Sequence, residues 1–147
     1  MLTDDEITGL QLAVEAAALE QIQGIISGQA PEALSGLQFF ADHTLLMYAC
    51  ERSTPEVVEY LLQKGARTSE LEWSTNNELK SALRNADHRR EILALVLPHV
   101  PEEIRADMIE SDWDPDDIDE GKAQSPLQMA HELKDQACLD LLSQYLS

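Results

Sequence analysis

From Thr44 to Ala66 the chain carries two short apolar patterns of helical spacing, one on each side of a break at Ser53-Thr54-Pro55. The first puts Leu46, Ala49 and Cys50 on one face, and the second puts Val57, Val58, Leu61 and Leu62 on another, the i, i+3, i+4 stripe of a helix that buries one side. Thr54 is suited to an N-cap, Pro55 to the first helical turn where a missing N–H costs nothing, and Gly65 to the left-handed residue that closes a helix. The pattern predicts two helices joined by a tight turn. Upstream, Asp4 to about Ala18 reads as a helix capped by Thr3, with Leu10, Ala13, Val14 and Ala17 inward, followed by a second from about Glu20 to Ser27 that stops at Gly28.

One hairpin of two short helices cannot bury its own apolar face, so it needs neighbours of the same kind. With Ala49 as register mark and an apolar residue nine later at Val58, the pairing recurs as Ala13 with Ile22, then Ile25 and Ile26, and as Ala130 with Leu139, then Leu142. A looser copy pairs Ala82 with Ile92 at ten residues, followed by Leu95 and Val96. The marks at 13, 49, 82 and 130 lie 36, 33 and 48 residues apart.

These residues resemble the ankyrin repeat, whose period is about 33 residues. Thr44, Leu46 and Ala49 match the Thr, Leu and Ala of its T-P-L-H-x-A signature, Ser125-Pro126-Leu127 stands where Thr-Pro-Leu belongs, and Val58, Leu61, Leu62, Gly65 and Ala66 fit its second helix and closing Gly-Ala. Leu45, Met47 and Ser53 depart from the family's Pro, His and mid-repeat Gly. The resemblance implies a single all-α domain over 1–147, an ankyrin-repeat solenoid of about four helix-turn-helix repeats at about 4–30, 42–66, 75–100 and 122–147 with long inter-repeat loops. An insertion at about 101–121 separates the last two repeats. Within it, 101–109 reads as a short helix with Ile104, Met108 and Ile109 on one side.

The resemblance also implies loops that project like fingers and, with the first helix of each pair, line a concave binding face. Phe39, Phe40, Trp73 and Trp113 all fall in such loops, the first two expected to pack and Trp73 and Trp113 counted as partner contacts. Two residues after each register Ala stand Glu15, Glu51, Arg84 and Glu132, a charged row on that face, with Ala16, Arg52, Asn85 and Leu133 beside it. Tyr48 and Arg52 join the candidate contacts.

Charge sharpens the choice of partner. The net charge is −18, divided as −8 over residues 1–51, +1 over 52–90 and −11 over 91–147. Nucleic acid and anionic membranes are poor partners for such a chain, because binding them depends on Lys and Arg neutralising phosphate. The segment from Glu102 to Glu120 holds ten acids and one base, Arg105, and within it Asp112, Asp114, Asp116 and Asp117 surround Trp113. Alternating Asp suggests a calcium loop, but Asp117 stands where the sharp turn needs Gly and Ala123 where the bidentate Glu should be, so no metal is expected.

Enzyme chemistry finds little footing. His43, His88, His99 and His131 lack metal-binding spacing, and there is no phosphate-binding glycine loop or nucleophile elbow. His131, next to the register Ala, is expected to be half-buried, and Cys50 and Cys138 to be small buried residues in different repeats. With no signal-like start and no apolar run of membrane length, a cytoplasmic protein, monomeric when free and without cofactors, is expected. Such a small acidic domain has the profile of a neutralising protein, for instance an immunity protein that blocks a toxin by entering a basic cleft. The competing expectation is an adaptor or scaffold that binds through Tyr48 and the finger aromatics, and a metal-dependent enzyme is a more distant one.

Overall fold

A computed structural model describes residues 3–29, 38–40, 43–66, 77–110 and 125–146. The described residues are mostly helical. In chain order they form α1 (Asp4–Glu15), α2 (Leu19–Ile26), β1 (Gln38–Phe40), β2 (His43–Thr44), α3 (Leu45–Arg52), α4 (Pro55–Gln63), α5 (Glu78–Leu83), α6 (Arg89–Val96), a 3-10 turn (Leu97–His99), α7 (Glu102–Glu110), α8 (Pro126–Leu133) and α9 (Gln136–Gln144). Among them no helix is long and apolar enough to cross a membrane.

The capping residues set where helices begin. Thr3 and Glu6 bond reciprocally across the first turn of α1, and Ser125 and Gln128 do the same for α8. Thr44, Asn77 and Asp135 accept from the N–H three residues on in α3, α5 and α9. Thr54 holds the N-cap position of α4, with Pro55 at the first turn, but its side chain makes no capping bond. Gly65 has φ 96°, as expected for the residue that ends α4. Helix α1 stops at Glu15, three residues before its predicted end, because Ala17 turns left-handed at φ 53°.

The helices pair as α1/α2, α3/α4, α5/α6 and α8/α9, and the pairs pack side by side in two rows. The first helices touch in the order α1, α3, α5, α8, while α4, α6 and α9 form the second row. Helix α7, the helix expected in the insertion, packs on α8 with Met108 and Ile109 buried. A single apolar core runs from Leu10 and Val14 through Leu46, Ala49, Leu61, Ala82, Ile92 and Val96 to Ala130 and Leu142. The two inner helices are buried nearly all round: Leu45 to Cys50 and Glu78 to Leu83 are buried without a break. Each is covered on two sides by neighbouring first helices and on a third by its own partner, so a one-face stripe underestimates its burial. The strands β1 and β2 pair antiparallel ahead of α3.

Candidate protein-binding groove

Each of the three joints between hairpins is closed by a polar clasp near the turn that links its helices. At the first, the Tyr48 hydroxyl donates to Glu15 Oε1 and accepts from Gln11 Nε2 at 3.4 Å. At the second, Asn85 Nδ2 donates to the carbonyls of Ser53 at 2.9 Å and Cys50 at 3.1 Å, while its Oδ1 accepts from His88 N at 3.2 Å. At the third, Arg89 Nη1 pairs with Asp135 Oδ2 at 3.5 Å, and Arg89 Nε donates to the Leu83 carbonyl at 2.9 Å. Asp135 is thereby doubly used, and its carboxyl is held below the usual range first by the bond from Cys138 N and then by Arg89.

Above the first two clasps, the turns of three successive hairpins enclose an open groove of about 360 Å³. Glu15 and Ala17 come from the first hairpin, Glu51 to Thr54 from the second and Arg84 to His88 from the third. Four predicted contacts, Glu15, Glu51, Arg52 and Arg84, are therefore brought together. Glu51 lies low in it, its side chain 16% exposed, with Arg52 Nε at 3.4 Å and Arg84 Nη1 at 3.8 Å; those two side chains are 58% and 42% exposed. Carboxylates from three hairpins, Glu15, Glu51 and Asp87, line the same space.

No family model, curated protein or solved structure matches the chain. The groove presents three carboxylates, two guanidiniums and the His88 imidazole.

The remaining expectations divide as follows. Tyr48 is 2% exposed and spends its hydroxyl on Glu15 and Gln11, so it is a joint between hairpins and not an apolar anchor for a partner. Burial comes first in raising its phenol above the ordinary value, with the Glu15 bond adding to it. Glu132 is exposed on α8 and is not among the residues that line the groove. Asn85, expected on the open face, is buried under it. His131 is exposed, contrary to expectation. Its register place is filled by buried Val14, Cys50 and Leu83 in the earlier hairpins, and no described hairpin packs beyond the last to cover it. Arg105, the base of the acidic segment, turns inward: its Nη2 donates to the Val100 carbonyl at 2.9 Å and its guanidinium lies 4.9 Å from the Tyr145 ring centroid.

Trp73, Asp112, Trp113, Asp114, Asp116 and Asp117, with the calcium-like loop, lie outside the described residues, as do the side chains of Phe39 and Phe40. Both cysteines are free and buried. Burial pushes the Cys50 thiol up, and pushes that of Cys138 up to about 12 with help from Asp135, so neither supplies a thiolate near neutral pH. Among the ionisable side chains lining the groove, Asp87 and His88 were missed in sequence. Their signal was only the run Asn85-Ala86-Asp87-His88, which reads as a turn and gives no hint of which way it faces.

Proposed function

We propose that this chain is a divergent ankyrin-like repeat module that works by binding another protein, without catalysis of its own, and that the partner presents a basic surface. The observation that carries the proposal is the groove, where three successive hairpins of a chain with net charge −18 each contribute a carboxylate. The helical hairpins, the register alanines Ala13, Ala49, Ala82 and Ala130 all buried in one core, and Gly65 closing α4 support the ankyrin-like part of the reading. The most specific form is an immunity-type inhibitor acting in the cytoplasm as a monomer. A protein that acts on nucleic acid or phospholipid needs a cationic cleft, and a carboxylate-rich surface can cover it and exclude substrate. With Tyr48 buried, the adaptor alternative rests on the finger aromatics Phe39, Phe40, Trp73 and Trp113.

The test is capture from an extract of the native source by the immobilised protein, followed by binding of the purified partner to two variants. Replacing the exposed groove carboxylates together (Glu15→Gln with Asp87→Asn) should weaken binding by more than about tenfold, while Trp113→Ala has the smaller effect. A partner of acidic isoelectric point, or one lost with Trp113→Ala and kept by the charge variant, overturns the proposal in favour of an apolar adaptor.

A further inference from the structure

We infer that Tyr48 is a positioning residue for partner recognition: its buried hydroxyl holds the Glu15 carboxylate in place at the groove, so that a cationic side chain meets a fixed acceptor. The inference rests on the partner-binding reading and assigns a role within it. Tyr48 is 2% exposed on α3, and its hydroxyl lies between two side chains of α1, donating to Glu15 Oε1 and accepting from Gln11 Nε2 at 3.4 Å. Gln11 and Glu15 stand four residues apart, on one face of that helix. The tyrosine thus reaches across the first joint and meets Glu15 from inside the fold.

Glu15 itself is exposed and lines the groove. Its other oxygen, Oε2, has no hydrogen bond or ion pair, so the carboxylate is tied at one oxygen and open at the other. A glutamate on a helix surface ordinarily samples several rotamers, and a partner that binds it must halt that motion, at a loss of about two- to tenfold in affinity. The Tyr48 bond imposes the order on folding, before any partner arrives. The backbone is set as well, since α1 ends at Glu15 and Ala17 turns left-handed at φ 53°. Asp87, the exposed carboxylate that the third hairpin adds to the groove, has no hydrogen bond or ion pair and so no such tether.

The probe is Nα-acetyl-tetralysinamide, a basic peptide standing for the partner's surface, titrated into the whole protein and followed by amide chemical shifts. The parent should show saturable shifts that include Glu15, at about millimolar affinity. Tyr48→Phe should weaken that affinity by about two- to tenfold, and should do the same in an Asp87→Asn background. In a Glu15→Ala background the same change should alter affinity by less than about 1.5-fold, because nothing is left to position. A tyrosine that only joined hairpins would leave the affinity of the folded protein unchanged. Three-bond side-chain couplings of Glu15 give a reading that needs no variant, and should report one χ1 rotamer in the parent. Averaged couplings there, no saturable shift at Glu15, an affinity indifferent to Tyr48→Phe, or an effect that persists in Glu15→Ala would each overturn the inference. A basic partner whose binding ignores Tyr48→Phe sinks the positioning role alone. A captured partner that proves acidic, while the probe behaves as expected, sinks the functional reading alone.

Discussion

Asn85 Nδ2 sits 2.9 Å from the carbonyl oxygen of Ser53 and reaches that of Cys50 as well, so one side chain of the third hairpin closes the last turn of α3 in the second. Carbonyls at a helix end have no partner within the helix and must find one elsewhere. Asn85→Ala should therefore lower stability by about 1–3 kcal/mol in urea unfolding. Asn85→Asp should be worse at neutral pH, because it turns a carboxylate toward two carbonyl oxygens. An Asp variant within about 0.3 kcal/mol of the parent would show that the clasp carries no weight.

Tyr48→Phe keeps the buried ring and removes the hydroxyl between Gln11 and Glu15. Its expected cost is about 1 kcal/mol at pH 7. The phenol's folded pKa is raised above 10.0, so its neutral form is the one that folding favours. That contribution is fully present below pH 10 and is lost as pH rises through the folded value. Stability measured from pH 9 to 11.5 should fall in the parent and fall less steeply in Tyr48→Phe; equal slopes would contradict the assignment.

Lys134 ends α8 in the left-handed region at φ 57°, the place Ala17 holds in the first hairpin. A side chain there costs about 1 kcal/mol that glycine avoids. Lys134→Gly should raise the unfolding free energy by roughly that much, and no gain would mean the turn relaxes in solution.

Much of this frame is legible in the sequence because it depends on local signals. Thr3 acts through a bond three residues away, Gly65 through its own backbone freedom, and the register alanines through close packing of first helices. What stays hidden depends on distant partners. Nothing beside Tyr48 in the chain tells that Glu15, 33 residues earlier, will accept its hydrogen bond, or that Asn85 will turn inward to carbonyls 32 and 35 residues away while its neighbour Arg84 faces out. His131 shows the converse: its helix predicts a packed face, and no described hairpin covers it.

Leu61 lies at the centre of the core, and Leu61→Asp places an unpaired charge there at a cost of several kcal/mol. A stack of this size has little stability to spare, since about 5–15 kcal/mol is usual. Circular dichroism should show mostly helix for the parent and loss of that signal for the variant. Retention of a full helical spectrum would mean that the register of the hairpins is wrong.

Recognition of a basic partner by complementary charge makes the association rate constant depend on salt. Steered encounters slow steeply as ions screen the approaching surfaces. Between about 0.05 and 0.5 M sodium chloride the rate should fall by roughly tenfold or more, with dissociation changing far less. An association rate that stays constant over that range would contradict the account.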